Sequence, residues 1–266
     1  MEQIKLLRER TGAGIVDCKT ALAEANGDIE MAVDILRKKG IAKAAKRGDR
    51  EATQGLIKVA INTAGNEGYI FEMNAETDFV VRNDQFQDMA NKIMKVAMEK
   101  APVSLDELNA LSLEDGTVIS EALSHMSGVI GEKIGLGRYA KLASQGTVAS
   151  YAHPQGNIGV LVALDKVNVP EMAQDVAMQV AAANPRYTNP EEVDAAELDR
   201  EKEVYREQLK KEGKPEEMIE KILLGKVNKY YEEVCLVKQE FIKDDSKKVS
   251  DILGDARIES FVRYSL

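Results

Sequence analysis

Residues 55–97 read GLIKVAINTAGNEGYIFEMNAETDFVVRNDQFQDMANKIMKVA, and this stretch decides the fold. Two runs rich in β-branched and aromatic residues flank Gly-Asn-Glu-Gly at residues 65–68, which predicts a β-hairpin over residues 55–74. Asn83 can cap a following helix, whose apolar residues recur at helical spacing. The tetrapeptide Thr77-Asp78-Phe79-Val80 therefore lies at a corner between a strand and a helix.

Two interpretations of this corner follow from the residues alone. Phe79 and Val80 could pack into the core beneath the helix, as aromatic residues near helix starts usually do. Alternatively, a corner held by regular structure on both sides could present the ring outward as an anchor for a partner protein. Asp78 has two interpretations as well, because an acidic residue before a helix commonly helps to cap it.

The composition describes a folded, highly charged chain of 266 residues, long enough for two or three compact units. Hydrophobic residues make up 44% and charged residues 30%, which is typical of a globular protein. No apolar run approaches the ~20 residues of a transmembrane helix, and the N-terminus lacks the pattern of a secretion or import signal. We therefore expect a cytoplasmic protein that does not contact the membrane.

Few residues suited to catalysis are available. The two cysteines, Cys18 and Cys235, give neither a disulfide framework nor the spacing of a zinc site. Cys18 falls on the apolar side of a predicted helix, which favours a buried, inert thiol. The two histidines, His125 and His153, lie far apart and form no HExxH-type arrangement. We therefore expect no metal site, and the two isolated histidines provide no paired base and nucleophile for a hydrolase.

The net charge of −9 is unevenly distributed along the chain. Residues 1–50 carry 11 Lys/Arg and 8 Asp/Glu, a net charge of +3, which leaves −12 for residues 51–266. An acidic body argues against direct nucleic-acid binding, because such binding needs many cationic contacts to phosphates.

Residues 1–40 predict three short helices, the third ending near Gly40. Ile15 and Val16 begin the second helix, and for these two side chains packing in the bundle and contact with a partner are equally open. The basic run over residues 38–50 is interpreted either as a solvated linker or as an electrostatic guide toward an acidic partner surface.

The second half of the chain predicts another β unit, which a helical hairpin interrupts. A charged helix starting at Asn189-Pro190 and a returning helix give an antiparallel coiled-coil hairpin over residues 189–231, a surface that could support self-association. A further helix begins at Pro170. The strands of this β unit are expected at residues 139–142, 147–152, 158–164 and 258–262.

Several blocks of the sequence resemble the translation elongation factor Ts family. The matching blocks are LRERTGAGIVDCKTAL at residues 7–22, EANGDIEMA at 24–32, TDFV at 77–80, SYAH at 150–153 and IGVLV at 158–162. They follow one another in order and with matching spacing, so the resemblance covers nearly the whole chain.

The resemblance implies a guanine-nucleotide exchange factor that is not an enzyme, with no catalytic residues and no cofactor of its own, whose partner is the GTPase elongation factor Tu. In this family the corner at Thr77, Asp78, Phe79 and Val80 wedges in beside the magnesium ion of the bound nucleotide and helps to dislodge it. Ile15 and Val16, where the family usually carries methionines, and His153 would contact the partner. Members often continue past the last strand into a further helical module that also contacts the partner.

The fold class predicted is α+β. A three-helix, UBA-like bundle and linker at residues 1–52 precede a core of two antiparallel β-sheet and helix subdomains, at residues 53–138 and 139–266, with the coiled-coil hairpin inserted in the second. The expected function is to bind elongation factor Tu loaded with GDP, perturb its magnesium and phosphate site, and promote release of GDP. The alternative is a stand-alone helical module that binds protein or nucleic acid and is attached to a structural core.

Overall fold

A computed structural model describes all residues from 1 to 266, and it confirms the predicted α+β class. The helices are α1 Glu2–Thr11, α2 Ile15–Glu24, α3 Ile29–Ala45, α4 Asp78–Val81, α5 Asp84–Lys100, α6 Leu105–Ala110, α7 Ile119–Ile130, α8 Pro170–Ala183, α9 Ala195–Lys211, α10 Glu216–Val234 and α11 Val249–Leu253. The strands are β1 Gln54–Ile61, β2 Glu67–Ala75, β3 Gly135–Ala143, β4 Thr147–Ala152, β5 Ile158–Leu164, β6 Glu240–Phe241, β7 Asp244–Lys248 and β8 Ile258–Ser265.

Helices α1, α2 and α3 form an N-terminal bundle around a small apolar core. Leu7 on α1, Cys18 on α2 and Ala32 on α3 are fully buried there, so the expected buried thiol is confirmed. The carboxylate of Asp28 caps α3 by accepting a hydrogen bond from the Met31 N–H at 3.0 Å. This cap satisfies one of the free N–H groups at the helix start and fixes the turn after α2.

Helix α3 continues to Ala45, so the predicted end near Gly40 was wrong. Gly40 is buried where α3 packs against α7. A Cβ atom at Gly128 of α7 would lie 2.4 Å from the Gly40 Cα, so the two backbones touch at this point. Glycine inside a helix costs about 1 kcal/mol relative to alanine. Here it permits a close helix crossing, and the sequence pattern around Gly40 alone gives no indication of that.

Polar contacts flank the crossing of α3 and α7. The guanidinium of Arg37 pairs with the carboxylate of Glu121. Beyond the end of α3, Arg47 Nη1 donates a hydrogen bond to the carbonyl oxygen of Ser127 at 3.1 Å. The first part of the basic run is therefore a helix packed against the core, and the linker interpretation of residues 38–50 holds only for its last few residues.

The first sheet has the strand order β1-β2-β3, with antiparallel neighbours. The predicted hairpin is confirmed as β1 and β2. One face of β2 is covered by α5 and α7, where Phe71 and Phe86 are fully buried. The assignment of residues 139–142 to the second β unit was wrong, because β3 pairs with β2 and sets Tyr139 opposite Phe71. An alternating pattern identifies the faces of a strand but not its neighbour.

The second sheet has the order β4-β5-β8, again antiparallel, with α8 and α11 against one face. Its central strand β5 is apolar throughout because Val160 and Val162 lie under α8 while Leu161 faces the first sheet. Leu161 packs there with Ile57 and Ile70, a cluster that joins the two sheets. The strands predicted for this unit after residue 146 are confirmed.

The helical hairpin consists of α9 and α10, which lie in the sequence between α8 and the last strands. The predicted helix start at Asn189-Pro190 was wrong, because Pro190–Glu192 forms only a 3₁₀ turn and Asp194 caps α9. Leu209 on α9 and Ile219 on α10 are buried within the chain, and nothing in the structure supports the self-association that was expected to be possible through this hairpin. No helix in the chain, including the 19-residue α10, is both long and apolar enough to cross a bilayer.

A carboxylate fixes the base of this hairpin. Glu197 on α9 accepts hydrogen bonds from Arg186 (2.6 Å), from the Tyr187 hydroxyl (2.7 Å) and from the Tyr230 hydroxyl. These donors, with Tyr230 the largest contributor, lower the pKa of Glu197 to about 2. Glu197 therefore joins α9 to α10 and to the segment before α9, and it stays ionised at a pH where an ordinary glutamate is already protonated.

The glycine crossing gives a prediction about stability. Gly128→Ala should lower the free energy of unfolding by about 1–3 kcal/mol, because its Cβ collides with the α3 backbone. Gly225→Ala on α10 is the matched control, since nothing lies within 4 Å of that Cβ, and it should instead stabilise the protein by up to about 1 kcal/mol. Urea unfolding of both variants measures the difference. Equal stabilisation by the two changes would contradict the crossing.

Candidate functional site

The corner at residues 77–80 is resolved by the structure into one buried and one exposed side chain. Thr77 lies at the N-cap of the one-turn helix α4, and the following residues point about 100° apart around its axis. Val80 is 9% exposed and belongs to the core cluster beneath α5. Phe79 is 82% exposed. Of the two interpretations, core packing therefore holds for Val80, and outward presentation holds for Phe79.

Asp78 is the first residue of α4, and its side chain does not cap the helix. Its carboxylate lies 2.9 Å from Arg82 Nη2, one turn further along the chain. Arg82 is largely exposed and Asp78 is about half exposed, so this ion pair contributes little to stability and can rearrange at low cost. The acid is therefore available to a partner that approaches the corner.

Glu132, 55 residues further along the chain than Thr77, holds the corner through two hydrogen bonds. Its Oε1 accepts a hydrogen bond from the Thr77 hydroxyl at 2.7 Å, and its Oε2 accepts one from the Thr77 backbone N–H at 2.9 Å. Glu132 follows directly after α7, which ends at Gly131 with φ 93°. Two charge-assisted hydrogen bonds to one residue restrict its direction as well as its position.

Glu76, the residue before Thr77, makes a similar connection to the segment after α7. Glu76 accepts a hydrogen bond from the Lys133 backbone N–H at 2.6 Å and pairs with Arg50 at 3.2 Å. The N–H of Lys133 and the Arg50 guanidinium hold the pKa of Glu76 below its usual range, so the acid is ionised at neutral pH. Residues 76–77 and 132–133 therefore form a double bridge, and we call its Thr77–Glu132 half the corner clamp.

Sequence reasoning missed Glu132 and Glu76 because their partners are distant along the chain. Thr77 and Glu132 are 55 residues apart, and no local pattern connects a strand end with the residue that follows a helix. The only available signal was the Ile-Gly-Glu-Lys turn at residues 130–133, where a glycine ends a helix and a carboxylate comes next.

His153 lies in the turn between β4 and β5, where it is half-buried. Its backbone N–H donates to the Ile158 carbonyl at 2.9 Å, and its Nδ1 accepts from the Gln155 N–H at 3.3 Å. The same turn lines a cleft of about 950 Å³ that Asp78 and Arg82 also line. The structure therefore brings two of the predicted site residues, Asp78 and His153, to one cleft.

Ile15 and Val16 lie apart from this cleft, on the N-terminal bundle. They begin α2 and are 58% and 77% exposed, which favours the second of their two interpretations, a surface available for contact. Ile15 also lines a groove of about 850 Å³ between the bundle and helices α5 and α7. No group of three His, Cys, Asp or Glu side chains in the chain has an arrangement that could hold a metal ion.

The opposite exposure of two neighbouring residues gives a prediction. Phe79→Ala should leave the free energy of unfolding unchanged to within about 0.5 kcal/mol, because its ring contacts little of the protein. Val80→Ala removes two buried methyl groups and should lower that free energy by about 1–2 kcal/mol. Urea unfolding, read by circular dichroism, compares the two variants. A larger loss for Phe79→Ala than for Val80→Ala would contradict the described corner.

Comparisons with known proteins agree with the resemblance drawn from the sequence. The family model described as Elongation factor TS matches residues 76–266, beginning beside the corner. The elongation factor Ts of Halothermothrix orenii is 44% identical over 277 residues, covering 100% of this chain and 91% of the relative. The proteins of the same name from Chlorobium phaeobacteroides and Chlorobaculum tepidum are 43% and 41% identical, and the matches cover at least 96% of each. The chain therefore belongs to the elongation factor Ts family of translation elongation factors.

Proposed function

We propose that the chain is a guanine-nucleotide exchange factor that binds elongation factor Tu in its GDP form and promotes release of GDP. One observation carries the proposal beyond family membership: Phe79 is an aromatic ring, 82% exposed, on a corner held by the buried Val80 on one side and by the Thr77–Glu132 hydrogen bonds on the other. Large rings left in water on a rigid support are typical of binding hot spots. A role in translation agrees with the cytoplasmic location expected from the sequence.

The free energy released when the ring of Phe79 is buried limits how far it can weaken nucleotide binding. A GTPase holds its nucleotide through backbone amides around the phosphates and through a magnesium ion that bridges them. Magnesium requires near-ideal octahedral geometry, so a small displacement of its surroundings weakens its binding strongly. Burying the ring of Phe79 in an apolar crevice of the partner releases about 1.5–3 kcal/mol. This energy can weaken nucleotide binding by one to two decades, at about 1.4 kcal/mol per decade.

The remaining coupling comes from a wider interface. Ile15 and Val16 on the bundle and His153 beside the cleft would provide further contacts, each from an element packed against the rest of the fold. Asp78 would turn its carboxylate from Arg82 toward the partner, which costs little because that ion pair is exposed. Thr77 and Val80 would complete the corner by holding it in place.

The mechanism needs no bond to be made or broken by this chain. Its binding energy is spent on distorting the partner's magnesium and phosphate site, so we propose a binding protein without catalytic residues and without a cofactor of its own. Linkage then requires the reverse effect as well, because binding of fresh nucleotide to elongation factor Tu lowers its affinity for this protein by the same ratio. The alternative of a stand-alone helical module is not favoured, since α3 packs directly against α7 of the core.

Phe79→Ala tests the proposal directly. We expect this variant to slow the stimulated release of GDP from elongation factor Tu by about tenfold or more, because the energy of ring burial is lost. Release of a fluorescent GDP analogue in a stopped-flow instrument measures the rate over a range of factor concentrations.

Val103→Ala is the matched control for this experiment. Val103 is also an exposed apolar residue, at 81%, and it follows the far end of the 17-residue α5, a helix about 25 Å long that begins just after the corner. Its removal should leave the release rate unchanged. An unchanged rate for Phe79→Ala would rule out the corner as the element that acts on the nucleotide site.

A further inference from the structure

The corner clamp restrains a segment that has little stability of its own. Helix α4 has only four residues and no side-chain cap, so in isolation it would not form. Val80 lies in the core, Val81 packs partly against it, and the Val81 carbonyl oxygen accepts a hydrogen bond from Gln87 Nε2 at 2.7 Å, so these contacts hold the C-terminal half of α4. The hydrogen bonds from Thr77 to Glu132 supply the second, directional restraint, immediately before the helix starts.

Glu132 is itself fixed by the end of α7. The Ser127 hydroxyl donates a hydrogen bond to the Glu132 carbonyl oxygen at 2.6 Å. The next residue, Lys133, donates its N–H to Glu76 and its Nζ to the carbonyl oxygens of Gly48 and Arg50, at 2.7 and 2.9 Å. The carboxylate that holds Thr77 therefore stands on a segment that is connected to the chain on both sides.

We propose that Glu132 is a positioning residue for nucleotide exchange, which gives the corner the stiffness that Phe79 needs in order to displace the partner's magnesium site. This inference rests on the proposed function. When a ring is pressed against a site, the more compliant side moves. If the corner yields, the complex still forms through the other contacts, but the distortion is absorbed by α4 and the nucleotide stays bound. The clamp therefore acts on coupling and not on affinity.

This distinction defines the measurement. Stimulated GDP release is followed as a function of factor concentration, which separates the maximal rate from the half-saturating concentration. Glu132→Ala should lower the maximal rate by up to about tenfold, the loss expected for Phe79→Ala, because the clamp acts only through the ring. The half-saturating concentration should change by less than about twofold. A purely structural role would lower the active fraction, which raises the half-saturating concentration and leaves the maximal rate unchanged.

Two further variants tie the effect to Thr77 and to the ring. Thr77→Val removes the hydroxyl but keeps the backbone N–H and the shape, so it should lower the maximal rate by about threefold. In the Glu132→Ala background it should add nothing, because its partner is already gone. Glu132→Ala should likewise add nothing to Phe79→Ala, since a stiff corner without a ring has nothing to press. Thr77→Val alone carries the test if Glu132→Ala does not fold.

Rescue and control variants complete the design. Glu132→Gln should keep most of the maximal rate, because an amide can accept from the Thr77 N–H and donate to the Thr77 hydroxyl oxygen. Glu114→Ala is the control: it removes an exposed glutamate that pairs with Lys95 away from the corner, and it should behave like the wild type.

The possible outcomes separate the two proposals. A normal maximal rate for Glu132→Ala and Thr77→Val, with slow release for Phe79→Ala, would overturn the role of the clamp and leave the exchange function standing. A wild-type chain that fails to accelerate GDP release would overturn both. A reduced maximal rate with full additivity between Glu132→Ala and Phe79→Ala would also refute the inference, because the carboxylate would then act independently of the ring.

Discussion

The structure depends on one turn of helix, α4, in which Val80 is buried while its neighbour Phe79 is exposed to water. Burying a ring of this size normally stabilises a fold by about 1.5–3 kcal/mol, and the chain contains only five phenylalanines. Neighbouring side chains of a helix point about 100° apart, and in this turn Val80 and Val81 face the core while Phe79 faces outward. The exposed ring therefore persists because the backbone on both sides is fixed by contacts from elsewhere.

Helix α7 connects these contacts with the rest of the molecule. Its last turn leads into Glu132 and the corner, while Gly128 in its interior lies against Gly40 of α3. The bundle that carries Ile15 and Val16 is thus positioned by the same helix that positions Phe79. β-branched side chains have few rotamers and cannot adapt much to a partner, so their contact depends on how the bundle is oriented. The two exposed apolar surfaces form one rigid arrangement through α7.

Much of this fold could be predicted because its signals are local. The β1–β2 hairpin and the helix capped by Asn83 were found from turn residues and periodicity within about 40 residues, and both are present. Errors arose where the answer lies in another part of the chain. The β3 strand was recognised but given the wrong neighbour, and α3 was ended at Gly40 because glycine usually stops a helix. Here Gly40 instead meets another backbone, which no window of sequence around it contains.

The candidate site likewise contains residues that a local pattern identifies and residues that it does not. A short motif, supported by resemblance to a family, was enough to single out Phe79, but a single turn of helix has no period, so the pattern could not decide which side chain faces outward. The orientation depends on contacts with other parts of the chain, which include the core around Val80 and the hydrogen bonds from Thr77 to Glu132, 55 residues away. A ring can be recognised from sequence because its identity is local. The stiffness of the corner that carries it cannot, because it depends on contacts between distant parts of the chain, and these form only when the chain has folded.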